Sequence, residues 1–245
     1  MNEETLFAMT ITSFHPITFT SDSVHGIQQD LKIETRRVMY PQPTGVRPFQ
    51  LPPDPEQRSR KFKYANISWV GQPGETWRSS YGSVGDRLWV REVWARVEPA
   101  PTILQYYGIP NAWRLKENPD LLEYWRKRVV YLADFPGKKP DECGRGSSDN
   151  EWRSPVTMPR WASRLMLEVQ EVRAERLHEI TAQGCYAEGV RVYEGTRLIL
   201  PGEEKLSDRI YLDQFVRKWN AINGQKNPWA NNPWVWVITF RRVDA

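Results

Sequence analysis

The chain has 245 residues, of which 40% are hydrophobic, and its 34 basic and 30 acidic side chains leave a formal net charge of +4. No apolar run approaches the roughly 18 residues of a membrane-spanning helix, and the N-terminus lacks the basic start of a signal peptide, so we expect no membrane association. Cys143 and Cys185 are too far apart for a disulfide framework or a zinc–thiolate site, which favours a reducing, cytoplasmic location. The three histidines leave little room for a His-based metal site, while metal chemistry that uses carboxylates alone stays open. We expect no metal and no other cofactor.

The first half of the chain contains strand-like segments separated by turns and a Pro-rich loop. Residues 16–20 alternate as a short strand, and a helix is predicted to follow from a cap at Ser21 or Asp22. The remaining segments of this half are a Pro-rich loop at 40–60, a strand at 62–70 and a strand at 85–94.

The second half carries the longest predicted helix. Tyr211, Phe215 and Trp219 recur at helical spacing and predict a helix over 206–222. Thr181 and Gly189 have the positions of an N-cap and a C-terminal glycine for a short helix between them. The other predicted segments are an insertion at 99–120, a helix at 121–128, a strand at 129–133, a loop at 136–150, and strands at 165–172 and 234–240.

Many short strands with two or three helices predict an α+β fold that is mainly β, in the form of a small β-barrel with flanking helices. The first and last strands are both apolar, so we expect the barrel to close with the N-terminal strand against the C-terminal one. We expect a single domain over 1–245, with loop insertions at about 40–78, 99–128 and 194–205.

Three parts of the sequence together resemble a known family. They are Lys32 to Arg37, Gly85 to Glu92, and the run from Met158 to Glu188 with the closing segment Asn232 to Phe240. In these segments the chain resembles the ASCH domain, a branch of the PUA-like superfamily, in the form common in bacteriophage and prophage proteins. The resemblance implies a small PUA-like β-barrel with a cleft that holds nucleotides or RNA.

Within that family the chain is similar to the bacterial N4-acetylcytidine amidohydrolases, whose catalytic set is a Lys and a Thr in K-x-x-T spacing with a Glu from a later helix. Lys32 and Thr35 match that spacing, and Glu188 falls at the corresponding place of the Glu. The resemblance implies Thr35 as nucleophile or water-positioning residue, Lys32 as a general base whose pKa burial must lower, and Glu188 as acid/base for the leaving group. One helical turn or a tight loop would bring Lys32 and Thr35 to one side. The alternative is a set of solvated charges beside an ordinary strand residue.

Two basic clusters are candidates for contact with a nucleotide or a nucleic acid. Arg36 and Arg37 adjoin the candidate catalytic residues, and Arg160 and Arg164 flank Trp161. An arginine side chain can donate two parallel hydrogen bonds to phosphate, and an indole face can stack on a base. The alternative is that Trp161 belongs to the core and that the arginines form its solvated rim.

Three functions compete at this stage. The first is a hydrolase of modified cytosine that uses Lys32, Thr35 and Glu188, and the second is a non-catalytic reader of RNA or modified nucleic acid. The third is a ribonuclease, whose metal-dependent version would need clustered carboxylates such as Glu34, Glu92 and Glu188. The expected partners are a nucleoside, a nucleotide, or single-stranded RNA or DNA.

Overall fold

The computed structural model describes residues 13–43, 66–68, 76–96, 119–143, 151–203 and 205–243, and shows an α+β fold. The strands are β1 (Phe14–Thr18), β2 (Glu34–Val38), β3 (Asn66–Ser68), β4 (Thr76–Arg78), β5 (Arg87–Arg91), β6 (Trp94–Arg96), β7 (Val129–Tyr131), β8 (Met166–Arg176), β9 (Val192–Glu194), β10 (Arg197–Ile199) and β11 (Trp234–Val243). The α-helices are α1 (Ser21–Gln28), α2 (Pro119–Arg126), α3 (Ala182–Ala187) and α4 (Lys205–Asn223). None of the helices described has the length and apolar character needed to cross a membrane.

The main element is a five-stranded mixed sheet with the order β1-β5-β8-β11-β2. The pair β1–β5 is parallel, whereas β5–β8, β8–β11 and β11–β2 are antiparallel. The expected closure of the N-terminal strand on the C-terminal one is wrong, because β1 pairs with β5 and β11 pairs with β8 and β2. The described strands leave this sheet open instead of closing it into a barrel. A side chain bridges its two edges, since the Arg37 guanidinium donates a hydrogen bond to the Thr18 carbonyl.

The strand β11 has apolar side chains on both faces, because it lies between two hydrophobic cores. Trp236, Ile238 and Phe240 belong to a core that also contains residues of β1, α1, β5 and β8. Val235 and Val237 point to the other side and pack with residues of α3 and α4. Side chains alternate along a strand, so two-sided burial produces the continuous apolar run of this segment.

The helices α3 and α4 cover the second face of the sheet. The predicted helix over 206–222 differs from α4 by one residue at each end, and Tyr211, Phe215 and Trp219 are buried as its spacing indicates. The helix α3 is short and begins at the predicted cap, since the Thr181 hydroxyl accepts a hydrogen bond from the Gly184 amide at 3.1 Å. Its end places Glu188 next to the sheet.

Other sequence predictions need correction or fall outside the described residues. The helix α1 is capped by Thr20 and not by Ser21 or Asp22, because the Thr20 hydroxyl accepts from the Ser23 amide at 3.4 Å. The strand predicted at 85–94 is divided into β5 and β6. Most of the Pro-rich loop at 40–60, most of the insertion at 99–120 and part of the loop at 136–150 lie outside the described residues.

Candidate active site

A cavity of about 450 Å³ lies along the outer edge of β2. Side chains from the end of β1, from β2, from the end of α3 and from α4 meet in its wall. Its size is within the usual range for small-molecule sites. The lining residues used below are Phe19, Lys32, Thr35, Arg36, Arg37, Tyr40, Tyr81, Glu188, Lys218 and Trp219.

Lys32 and Glu188 form a close buried pair in this wall. The Lys32 ammonium lies 2.5 Å from Oε2 of Glu188 and also donates to the Glu188 carbonyl at 2.8 Å. The backbone holds the two segments together, since the Ile33 amide donates to the Ala187 carbonyl at 2.9 Å. The resemblance had placed these residues in one site, and the structure brings them together across 156 positions of sequence.

Gly189 lets the chain turn immediately after Glu188. Its φ of +90° lies in the region that favours glycine, and a Cβ added there would come within 3.2 Å of the Lys32 Cβ. The close approach of this backbone to Lys32 therefore depends on the absence of a side chain at Gly189.

The pKa of Lys32 is lowered from its ordinary value. Burial is the main cause, because removing the ammonium from water disfavours its charged form. Glu188 opposes the change, while the positive charges of Arg37 and Lys218 act in the same direction as burial. The environment therefore makes the Lys32 proton easier to remove than that of an ordinary lysine, which is the direction that a general base requires.

Thr35 reaches the cavity from the face of β2 that lies on the same side of the sheet as the core of Trp236, Ile238 and Phe240. It pairs with Ile238, and Arg37 on the same face pairs with Trp236. The Thr35 hydroxyl has no hydrogen bond to any other described residue, and the residue is only 4% exposed. The predicted helical turn or tight loop between Lys32 and Thr35 is wrong, because Lys32 precedes β2 and Thr35 is its second residue. The edge of the strand, and not a helical turn, puts both residues in one wall.

Arg36 points to the opposite face of β2 and is surrounded by carboxylates. Its guanidinium lies 2.7 Å from Glu34, 3.5 Å from Glu188 and 3.4 Å from Glu175. Arg173 joins the same network through Glu34 at 2.8 Å and Glu175 at 2.5 Å. This geometry favours Arg36 as a counter-ion that holds Glu188, over the predicted contact with phosphate.

The second basic cluster does not reach the cavity. Arg164 forms a two-pronged ion pair with Glu92 at 2.8 and 2.9 Å and also contacts Asp134 at 2.6 Å. Trp161 packs against hydrophobic residues of two small clusters, and the exposed Arg160 lies over the Phe14 ring. The structure thus separates Arg160, Trp161 and Arg164 from Lys32, Thr35 and Glu188, and favours the alternative in which Trp161 is part of the packing.

Sequence reasoning missed several residues of the cavity wall. Phe19 and Lys218 had no assigned role, and Trp219 was interpreted only as part of the apolar helix stripe. Tyr81, which its position in a loop made a looser candidate for the cleft wall, does line the cavity. Lys218 precedes Trp219 in sequence. A basic residue at the margin of the apolar helix stripe was therefore the one sequence signal that could have pointed to Lys218 as a residue of the cavity wall. Phe19 carries no comparable signal, since short-range pattern does not show which core aromatic borders a cavity.

Other chemistry finds little support in the described residues. No group of three or more His, Cys, Asp or Glu side chains there could hold a metal ion. Glu92 is paired with Arg164 and does not line the cavity with Glu188. Both cysteines are free and buried, and burial raises the pKa of Cys185 to about 12, which disfavours a reactive thiolate.

The comparisons with known proteins leave the chain without a family. Its sequence matches no protein-family model, and neither a curated protein nor a solved structure matches it. The similarity to the ASCH domain therefore stays a prediction that depends on the residues named above.

Proposed function

We propose that the chain is an ASCH-type, PUA-like protein that hydrolyses N4-acylated cytosine in a nucleoside or nucleotide, with Lys32, Thr35 and Glu188 as catalytic residues. The observation that carries the proposal is the buried contact of 2.5 Å between the Lys32 amine and the Glu188 carboxylate in a cavity that Thr35 also lines. An amine, a hydroxyl and a carboxylate are the groups that an acyl transfer without a metal uses.

The first step is the attack of Thr35 on the acyl carbonyl. Neutral Lys32 takes the hydroxyl proton, and the oxygen of Thr35 forms a bond to the carbonyl carbon. The lowered pKa of Lys32 supports this role, because a protonated ammonium cannot accept a proton.

The second step releases the cytosine amine and leaves the acyl group as an ester on Thr35. The proton that Lys32 took from Thr35 passes to Glu188, which transfers it to the departing nitrogen as the carbon–nitrogen bond breaks. Water then attacks the ester carbonyl and gives a proton to Lys32, and the carbon–oxygen bond to Thr35 breaks as that proton restores the Thr35 hydroxyl and the carboxylic acid leaves. In the alternative version Thr35 only positions a water that attacks directly. Lys32 and Glu188 are close enough to pass a proton between them in either version.

A non-catalytic reader of RNA or modified nucleic acid is the second candidate. The cavity wall combines the cations Arg37 and Lys218 with the aromatic rings of Phe19, Tyr81 and Trp219. Stacking and charge together can hold a base and a phosphate without chemistry. The ribonuclease hypothesis gains no support of this kind, since the described carboxylates form no metal-binding group.

The test uses the change in ultraviolet absorbance when N4-acetylcytidine loses its acetyl group. We expect turnover by the full chain, and a loss of at least about 100-fold in kcat/KM in Thr35→Val, which removes the hydroxyl but keeps a β-branched side chain in β2. Lys32→Met should abolish turnover, although it also leaves Glu188 buried beside one cation fewer.

Two controls separate chemistry from folding. Lys226→Met changes an exposed lysine outside the cavity and should leave turnover unchanged. The melting temperature of Thr35→Val should stay within a few degrees of that of the parent. Absence of turnover in the parent chain, or full turnover in both Thr35→Val and Lys32→Met, contradicts the amidohydrolase proposal. The non-catalytic reader of RNA or modified nucleic acid then remains as the proposed function.

A further inference from the structure

The described side chains that line the cavity carry an excess of positive charge. Four of them are cations, Lys32, Arg36, Arg37 and Lys218, and one is a carboxylate, Glu188. Lys32 is paired with Glu188, and Arg36 is further compensated by Glu34 and Glu175. The positive charge that remains at the cavity therefore belongs to Arg37 and Lys218.

Lys218 has no ion pair or hydrogen bond through its ammonium to any other described residue. It is a partly buried residue of α4, the helix that also contributes Trp219 to the cavity wall. Its ammonium is therefore available at the cavity wall to pair with an anion that enters the cavity.

Arg37 is the second cation of the wall that has no ion pair with a described carboxylate, and it comes from β2. Its only described hydrogen bond is to the Thr18 carbonyl, and its Nε is buried without a partner. Its guanidinium lies 4.9 Å from the centre of the Phe19 ring, which also lines the cavity. Arg37 is thus held at the wall by an aromatic ring and a backbone oxygen, and not by a carboxylate.

The fields of these two cations meet at Lys32. Arg37 and Lys218 line the same cavity as Lys32, and the positive charge of each contributes to lowering the pKa of Lys32. An anion bound there would be attracted by both side chains, one from the sheet and one from the helix.

We infer that the cavity binds a phosphorylated cytosine nucleoside in preference to the neutral nucleoside, and that Lys218 and Arg37 contact its phosphate. The cytosine part of this inference depends on the proposed function, whereas the phosphate part depends only on the cations of the wall. Arginine and lysine are the side chains that recognise phosphate, by forked hydrogen bonds and by point charge respectively.

The experiment is isothermal titration of the full chain with cytidine, cytidine 5′-monophosphate, a cytidine trinucleotide and inorganic phosphate. We expect the monophosphate to bind at least about tenfold more tightly than cytidine. Lys218→Gln should weaken the binding of the monophosphate far more than that of cytidine, and so remove most of that difference. Lys226→Gln, which removes the same charge from an exposed site outside the cavity, should change neither affinity.

The outcomes separate this inference from the hydrolase. Equal binding of cytidine and the monophosphate, no binding of either, or an unchanged preference in Lys218→Gln overturns the role of phosphate. Tighter binding of the trinucleotide with the same loss in Lys218→Gln supports it and identifies the phosphate as part of a strand. A preference for the monophosphate without turnover of its N4-acetyl form supports the phosphate site and contradicts only the hydrolase.

Discussion

The described part of the chain contains two partly buried groups of acidic and basic side chains that differ in how their charges are matched. In one group Arg164 donates two hydrogen bonds to Glu92 and a third to Asp134. These side chains do not line the cavity. In the other, the single carboxylate of Glu188 contacts both Lys32 and Arg36 and borders open space. The same functional groups therefore serve packing in one place and can serve chemistry in the other.

The pKa directions express the same contrast. Burial is the largest single influence on Arg164 and opposes its charged form, but the hydrogen bonds and negative charges of Glu92 and Asp134 together outweigh burial and raise the pKa of the guanidinium. Burial lowers the pKa of Lys32, and its contact with Glu188 does not reverse that direction. The carboxylates around Arg164 thus stabilise its charge, whereas the contact with Glu188 leaves the Lys32 proton easier to remove than that of an ordinary lysine.

The largest expected effect breaks the matched group. Arg164→Met leaves the buried Glu92 carboxylate without its main partner, and we expect a loss of about 3 kcal/mol in the free energy of unfolding. Urea denaturation measures it. Burial already raises the pKa of Glu92, and losing Arg164 raises it further, so the folded state then holds more protons than the unfolded state above the ordinary glutamate pKa. The loss should therefore be larger at pH 8 than at pH 5.

The control for this variant is Arg160→Met, which removes an exposed arginine from the same stretch of chain. It should change the free energy of unfolding by less than about 1 kcal/mol. Hydrolysis of N4-acetylcytidine by folded Arg164→Met should stay within about twofold of the parent. A folded Arg164→Met protein without activity contradicts the separation of the two groups.

The contrast between α4 and β2 shows what local sequence can predict. The helix α4 was predicted nearly to its ends, because Tyr211, Phe215 and Trp219 repeat at the period of a helix and face one core. The strand β2 was not predicted as a strand, because its charged residues do not resemble a buried segment. Their burial depends on partners such as Glu175, which lies 139 positions away from Arg36.

The candidate site likewise has a part that the sequence predicted and a part that it did not. The resemblance selected Lys32, Thr35 and Glu188, and all three line one cavity. It offered no way to distinguish Arg36, which carboxylates surround, from Arg37, which they do not. Alternation along β2 decides this difference, and alternation could be applied only once the segment was known to be a strand.

The next prediction concerns the pH dependence of hydrolysis, which reports on the lowered pKa of Lys32. Because the pKa of Lys32 is lowered, we expect kcat/KM for N4-acetylcytidine to rise with pH along a limb whose midpoint lies below 10.5. Lys218→Gln removes one of the charges that lower this pKa and should move the limb to higher pH. A spectrophotometric pH profile measures both, and a midpoint at or above 10.5 in the parent contradicts Lys32 as the base.

The titration of Lys32 should also change the free energy of unfolding with pH, in a direction that its lowered pKa determines. Between the lowered folded pKa of Lys32 and its ordinary value of 10.5, the unfolded chain binds more protons than the folded one at this residue. The contribution of Lys32 to stability therefore becomes more favourable as the pH rises through that window. Lys32→Met should remove this contribution, which urea denaturation at a series of pH values measures.

The smallest effect tests how closely Lys32 is positioned. Gly189→Ala introduces a Cβ at a φ of +90° and within 3.2 Å of the Lys32 Cβ, so we expect a loss of about 1–2 kcal/mol in stability and a several-fold fall in kcat/KM. Gly85→Ala is the matched control, because Gly85 has a φ of +89° and nothing within 4 Å of its added Cβ. It should lose similar stability through backbone strain but keep full activity. Equal activity in the two variants would show that hydrolysis does not depend on the close approach of Gly189 to Lys32.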